Sequence, residues 1–392
     1  MSQNQRQKSI RVGIAGTGFV GRGLSRLLSL RDDMQVSGVL TRRMGMVPGL
    51  GVDPELVTNE PRRLMEVSDV IVVSTGDPLH STKIIDLAFE YGLPVITMDA
   101  DTLVVSGSWL KRRGLLTESE GDQPGCLATL KEEALQMGFT PLVYGNIKRY
   151  LNHYPTIKDM RFWAKKQGFS LQSITSFTDG TKLQTEQCLV ANGLDAGITK
   201  QGLEGLVCAD WETGARQLAA MAMELNGSIS DYVISKGSPP GVFIAATHDE
   251  DLAWGLETYK LGGGPVYILH RPYHLCFFEI PKTILRFLDS KEPILDNGAY
   301  PEFSVAAIAK SKLAAGTLIK KGIGSMDVRG EVLWIAKHLE HVPVGLMDSV
   351  HVKRPVEAEQ IITWDDIDIP ESKAAAAWFE TLRLLRQQEP IS

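Results

Sequence analysis

Residues 11–23 read RVGIAGTGFVGRG. The stretch opens as a buried strand, with apolar Ile10, Val12, Ile14 and Ala15. Gly16-Thr17-Gly18-Phe19-Val20-Gly21 follows at once, and Leu24, Leu27 and Leu28 then recur at helical spacing. A G-x-G-x-x-G between a strand and a helix carries far more weight than the motif alone. Gly16 lets the chain turn tightly, Gly18 lets a pyrophosphate approach the backbone, and Gly21 lets helix and strand pack closely. The free N–H groups and positive dipole end of the helix then face phosphate. Gly16, Thr17, Gly18, Phe19, Val20 and Gly21 are therefore expected to hold a dinucleotide. The alternative is a glycine-rich turn with no ligand.

Val36 to Leu40 reads as the second strand, and Thr41-Arg42-Arg43 ends it where an Asp or Glu would bind the ribose of NAD. No carboxylate stands there to oppose a 2′-phosphate, and two guanidiniums can clamp one. Thr41, Arg42 and Arg43 thus favour NADP, unless the arginines are ordinary solvated charges. A third apolar run, Val70 to Ser74, ends in Thr75-Gly76-Asp77-Pro78, so Ser74, Thr75 and Gly76 are expected to line the same crevice. A helix over 80–91 and a strand over 94–98 follow; Asp101 beyond them can cap the next helix or stand at the crevice. Asp122-Gln123-Pro124 reads as the capped start of a helix running on through 127–137. A strand over 140–144 comes next, with Lys148 just beyond it at the crevice side.

This alternation predicts an α/β fold with a Rossmann-type doubly wound parallel sheet over residues 1–150. Residues 151–292 change texture, from mainly helical to rich in Gly, Pro and aromatics, and suit a central α+β substrate domain. Residues 293–392 carry short strands and turns, then a helix over 372–387, which suits a β-rich C-terminal domain.

The formal charge of -6 over 392 residues argues against nucleic acid as a partner. No apolar run is long enough for a membrane span. The N-terminal MSQNQRQKS is polar, so no secretory leader is expected. Cys126, Cys188, Cys208 and Cys276 are scattered, which fits a reducing, cytoplasmic setting and no zinc site. A homodimer is expected only because twofold oligomers are the commonest.

Two polar clusters are candidates for chemistry. In the first, Ser176 to Asn192, a helix from Thr181 places Lys182 and Glu186 on one face, with Leu183 and Val190 marking its apolar side. Ionic and amide groups beside an apolar stripe suit a polyol or phosphate substrate; the bland alternative is an exposed ion pair. Asp179 and Glu186 can hold Mg²⁺ or Mn²⁺, though no spacing demands a metal. The second cluster is Gly262 to Leu275, where Arg271 can bind a phosphate or carboxylate and His274 can move a proton. A structural histidine is the alternative there.

GTGFVG, GDQPG with GNIKRY, SFTDGTK with Glu186 and VAN, GPVYILHRPYHL, and AKSKLAAGTLI with VPVGLMDSVHVKR occur in order along nearly the whole chain. Together they resemble the homoserine-dehydrogenase-like oxidoreductases that carry a C-terminal SAF domain, a family with a 1-deoxy-D-xylulose 5-phosphate reductoisomerase-like branch. The resemblance implies NADPH at the glycine turn and a SAF-like C-terminal domain. It implies a substrate pocket drawn from Lys148, Asp179, Lys182, Glu186, Asn192, Arg271 and His274. Gly145-Asn146-Ile147-Lys148 departs from that branch, which leaves the small-molecule substrate open. The expected activity is an NADP-dependent oxidoreduction of a small polar, phosphorylated carbonyl or hydroxyl compound. The alternatives are a reductoisomerase aided by a divalent cation, a simple dehydrogenase, and a non-catalytic NADP-binding sensor or scaffold.

Overall fold

The computed structural model describes residues 9–43 and 49–388. The polar segment 1–8, on which the expectation about a leader rests, lies outside them. Six strands, β1 (Ile10–Ala15), β2 (Met34–Leu40), β3 (Val57–Thr58), β4 (Val70–Val73), β5 (Val95–Thr97) and β6 (Leu116–Glu118), form one parallel sheet. Their order is β3-β2-β1-β4-β5-β6. The order reverses between β1 and β4, and doubly wound sheets bind ligands beyond the carboxyl ends at such a switch. Helices α1 (Phe19–Leu28), α2 (Pro61–Glu66) and α3 (Pro78–Glu90) connect the first strands. Two short helices, α4 (Ala100–Thr102) and α5 (Ser108–Lys111), are joined by a π turn, and α6 (Gln123–Gln136) follows β6.

Strand alternation divides the core. Val70 and Val72 pack with Leu24 and Leu28 of α1, while Ile71 and Val73 pack on the other face with Ile84 and Ile85 of α3. Both faces are covered, which explains why these strands read as unbroken apolar runs.

The strand expected over 140–144 does not extend this sheet. β7 (Thr140–Lys148) is longer and starts a second one. The N–H of Glu118 on β6 already donates to the Leu295 carbonyl at 2.8 Å, so the edge beside β6 is taken. The elements that follow are α7 (Ile157–Gln167), α8 (Leu171–Thr178), α9 (Thr181–Gly193), β8 (Leu206–Val207), α10 (Trp211–Glu224), β9 (Ile229–Ile234), β10 (Val242–Thr247), α11 (Ala253–Thr258), β11 (Tyr267–Arg271) and α12 (Ile280–Ser290). The second sheet runs β11-β10-β7-β9-β8, antiparallel across β11, β10 and β7 and parallel across β7, β9 and β8. Val143 and Ile147 of β7 face α10, packing with Ala215, Leu218 and Ala222. The alternation leaves Tyr144, Asn146 and Lys148 on the opposite face.

The β-rich C-terminal part pairs β12 (Phe303–Ala309) with a later strand, β14 (Val328–Trp334). It joins β13 (Leu318–Ile319), β15 (Val350–Val352) and β16 (Ile367–Asp368) in a small antiparallel sheet. The closing helix, α13 (Lys373–Gln388), returns to the first sheet's layer and packs on α3 and α5. α9 was expected to be amphipathic, yet it is buried continuously from Leu183 to Ala191. It lies between the second sheet, the β12–β14 ribbon, α4 and α6. No helix among the described residues is long and apolar enough to cross a membrane.

His341 joins the C-terminal part internally. Its Nδ1 donates to the His338 carbonyl at 2.6 Å, its Nε2 accepts from Ser304 at 2.8 Å, and its ring meets Trp378 of α13 edge-on. Burial pushes the imidazole down to about 4, from an ordinary 6.5. The folded chain therefore binds fewer protons here than the unfolded chain between those values, so this contribution to stability is lost as pH falls from 6.5 to 4. The stability advantage of wild type over His341→Gln is expected to shrink by on the order of 3 kcal/mol across that window, read by urea unfolding at stepped pH.

Candidate active site

Three loops meet beyond the carboxyl ends of β1, β2 and β4. Gly16 has φ +126, and a Cβ there would fall 2.5 Å from the Ser74 carbonyl oxygen. A Cβ on Gly21 would fall 2.0 Å from the Gly16 oxygen. Both glycines are thus required by the turn itself. A Cβ on Gly18 would meet nothing within 4 Å, so open space lies where a pyrophosphate must approach. That cradle fits a dinucleotide. Thr17 lies 3.4 Å from the Thr41 hydroxyl, which accepts the Arg43 N–H at 3.1 Å. Phe19 packs against Phe169 and Phe277, and Val20 against the core beneath α1.

The third loop is pinned by Asp99, just beyond β5. Its carboxylate accepts from the N–H groups of Thr75 and Gly76 at 2.9 and 3.1 Å and from the Ser81 hydroxyl at 2.8 Å. Burial pushes its pKa up to about 6. Ser74 donates its N–H to the Ala15 carbonyl, which ties the loop to β1. One expectation is corrected here: a carboxylate does stand by Arg42. Asp77, brought in from the loop after β4, accepts from Arg42 Nη1 at 2.8 Å. Asp77 also accepts the His80 N–H at 3.1 Å and so caps α3.

A second constellation assembles around Lys182 on α9. Its Nζ lies 3.0 Å from Asp122 and 3.7 Å from Glu186, one helical turn further on. Lys148, at the end of β7, lies 3.7 Å from the other Glu186 oxygen and donates to Gln123 at 3.1 Å. Asn146, two residues before it on the same strand face, donates to Gln123 and, at 3.4 Å, to Glu186. His274 completes the ring, 3.4 Å from the Gln123 amide nitrogen. Lys182, Glu186, Lys148 and His274 thus come together as a site, and the Lys182–Glu186 pair is buried rather than exposed. The Lys182 side chain keeps 18% exposure and Lys148 24%, so neither side chain is fully sealed.

The electrostatics follow from burial. Burial opposes the Lys182 charge, but Asp122, Glu186, Asp101 and Glu118 surround it and hold the ammonium well above the usual lysine range. Against the same burial, Lys182 holds Asp122 below the usual carboxylate range. Burial pushes Glu186 up to about 7 and Glu118 well above its ordinary value. Burial also lowers His274, keeping a neutral ring.

Three expected members stand elsewhere. Asp179 is bound to Lys310 at 2.7 Å and accepts the Thr181 N–H at 2.9 Å, so it ties α9 to the C-terminal part. Asn192 donates to Asn297 and the Phe303 carbonyl and accepts the Glu302 and Phe303 N–H groups, so it fixes the start of β12. Arg271 is engaged by Glu120 at 3.3 Å, Thr129 at 3.1 Å and Glu279, which occupy both of its terminal nitrogens. Asp179, considered with Glu186 for a cation, is committed to Lys310 instead. Among the described residues no group of three or more His, Cys, Asp or Glu side chains is arranged for a metal.

Sequence reasoning missed Asp122 as more than a helix cap, although its side chain does also accept the Gln123 N–H. It named Gln123 and Asn146 in motifs without giving them a role, and it missed Glu118 altogether. Asp101 lies within α4, where Asp99 holds the position before the helix, and it faces Lys182 instead of capping. The available signal was position: Asp99, Asp101, Glu118 and Asp122 all end or follow strands of a doubly wound sheet.

Residues 121–280 match the family model of the catalytic domain of oxidoreductase DRL, a stretch that encloses the whole Lys182 constellation. No curated protein matches the chain. Among solved structures it is similar to a probable dehydrogenase from Thermotoga maritima, at 14% identity over 72% of this chain and 90% of that one, with a TM-score of 0.42. It is similar to the UDP-N-acetylglucosamine 3-dehydrogenase GnnA of Acidithiobacillus ferrooxidans, at 14% identity over 74% and 92%, with a TM-score of 0.41. The D-galactose-1-dehydrogenase of Rhizobium etli stands at 12% over 76% and 93%, with a TM-score of 0.44. Likeness at this level assigns neither substrate nor reaction. The matched catalytic domain beside a dinucleotide-type sheet makes the chain an NAD(P)-dependent oxidoreductase.

Arg271→Met would strip Glu279 of its guanidinium and leave the fully buried Glu120 with Lys282 as its remaining cation. It is expected to cost about 3–5 kcal/mol of unfolding free energy, the range for breaking a buried ion pair from one side. An Arg271 that served only to bind substrate would leave the urea midpoint in place and raise KM instead.

Proposed function

We propose that this protein is an NADP-dependent reductase, or in reverse a dehydrogenase, of a small polar carbonyl compound, with Lys182 at the reacting oxygen. The observation that carries this is the Lys182 ammonium, partly exposed yet fastened to Asp122 and Glu186 beside the carboxyl edge of the dinucleotide sheet. Gly16, Gly18 and Gly21 would hold the pyrophosphate, Ser74, Thr75 and Gly76 the adjoining wall, and Arg42 with Arg43 a 2′-phosphate. A bound nicotinamide supplies or accepts the hydride.

Lys182 then donates a hydrogen bond to the substrate carbonyl oxygen and delivers a proton to it as the carbon is reduced. Asp122 fixes the direction of that ammonium. Glu186, titrating near neutrality, returns a proton to Lys182 from solvent. Lys148 and His274 bind the substrate's remaining oxygens. With both terminal nitrogens of Arg271 engaged, Lys148 supplies the positive charge for a phosphate or carboxylate. A reductoisomerase acting on 1-deoxy-D-xylulose 5-phosphate and a homoserine-dehydrogenase-like enzyme acting on a semialdehyde are two forms of this reading. NADPH oxidation with deoxyxylulose phosphate or with aspartate semialdehyde separates them.

Gly18→Ala is expected to fold with an unchanged Tm, because its Cβ enters open space, and to lose roughly tenfold or more in dinucleotide affinity. Lys182→Met is expected to keep that affinity and lose about 10²- to 10⁴-fold in kcat. Wild-type protein that binds NADPH yet never consumes it, across a panel of sugar phosphates and semialdehydes, would overturn the proposal. In the reduction direction kcat is expected to fall as pH rises through about 7, where Glu186 gives up its proton. A Glu186→Gln profile that keeps the same inflection would assign it to another group.

A further inference from the structure

Lys321 comes from the C-terminal part, just after β13, yet it reaches the dinucleotide crevice. Its Nζ lies 3.6 Å from Asp77 Oδ2, the same oxygen that accepts from Arg42 Nη1 at 2.8 Å. Two cations from opposite ends of the chain therefore converge on one point, at the loop after β2 where a doubly wound sheet receives the adenosine ribose. Both keep much of their side chain open, 61% for Arg42 and 45% for Lys321.

The position of Lys321 is built rather than incidental. Lys321 is also paired with Asp348, whose second oxygen accepts the Gly322 N–H at 3.1 Å. Gly322 itself is packed so closely that a Cβ would fall 2.2 Å from the Val344 carbonyl oxygen. The backbone carrying Lys321 thus has little freedom. Asp77, for its part, has a third partner at the start of α3, where the His80 N–H and the helix dipole offset its charge. A guanidinium has five donors in a fixed fork, and Arg42 gives Asp77 its Nη1, so a planar face remains for a second acceptor.

We propose that the C-terminal part completes the cofactor site: Lys321 and Arg42 together bind the 2′-phosphate of NADP. Asp77 holds the two cations together before the dinucleotide arrives. This inference rests on the NADP reading above and adds a residue to it from outside the dinucleotide-binding sheet. It also means that NADPH reaches the C-terminal part through its 2′-phosphate, a contact that NADH cannot make.

The test is direct binding of NADPH and NADH, by calorimetry, to full-length wild type, Lys321→Ala, Lys321→Arg, Lys320→Ala and Arg42→Ala, with Tm recorded for each. Wild type is expected to prefer NADPH. Lys321→Ala should weaken NADPH about five- to tenfold, the scale of one charge-assisted contact near the surface, and leave NADH unchanged. Lys321→Arg should restore the preference, and Lys320→Ala should not disturb it. NADPH should raise the Tm of wild type more than NADH does at equal concentration, and that gap should narrow in Lys321→Ala. If Lys321→Ala weakens both dinucleotides alike, or neither, while Arg42→Ala abolishes the preference, the inference falls and the NADP reading stands. If wild type binds both alike, the two fall together.

Discussion

A helix bearing Lys182, Gln184, Glu186, Gln187 and Asn192 is buried at the centre of the molecule, and the rest of the structure answers it. Unpaired polar groups cost free energy in such a place, and charged ones cost most. Several polar residues of α9 are met by neighbouring elements. Thr181 and Gln184 accept the N–H groups of Gly330 and Val332 on β14. Gln187 donates to the carbonyls of Tyr144 and Asp231 on β7 and β9. Asn192 fixes the start of β12. The second sheet and the C-terminal ribbon are therefore held to one another through the side chains of a single helix.

Lys182 and Glu186 are the residues of that helix whose demands are met by charge. Around them burial alone would neutralise every group. The proximity of Asp122, Asp101 and Glu118 keeps Lys182 ionised, while Glu118 and Glu186 are pushed toward their protonated forms. Groups of one chemical type driven apart in pKa within a few ångströms are what acid–base chemistry requires. Among the described residues, both Glu118 oxygens are buried with no hydrogen-bond partner. The cluster thus keeps acceptor capacity that its own side chains do not use. Arg271 shows the contrary case, since Glu120, Thr129 and Glu279 take both terminal nitrogens of its guanidinium.

The glycine turn was legible because its requirements are local. A strand, a turn that needs positive φ at Gly16, and close packing at Gly21 are all fixed within a few residues. The apolar runs of β1, β2, β4 and β5 were legible for a related reason, as parallel strands covered on both faces carry little else. The i, i+4 pairing of Lys182 and Glu186 follows from helical period alone. The strand at Thr140–Lys148 was legible as a strand, but not its sheet, because pairing depends on which edge is free. Asp122 illustrates the same limit: its role as a cap is local, while its contact with Lys182 spans sixty residues.

By itself, then, the sequence determined the dinucleotide-type sheet, the order of the three textures and the presence of Lys182 and Glu186 on one helical face. Only the tertiary structure decided that Lys148 and His274 join them, that Asp179, Asn192 and Arg271 do not, and that Asp77 and Lys321 stand beside Arg42. The reason is one of range. Backbone conformation and periodicity are set by neighbours in the chain. Whether a charged side chain is free for a ligand depends on which distant counter-charge reaches it first, and burial decides how strongly the two are bound together.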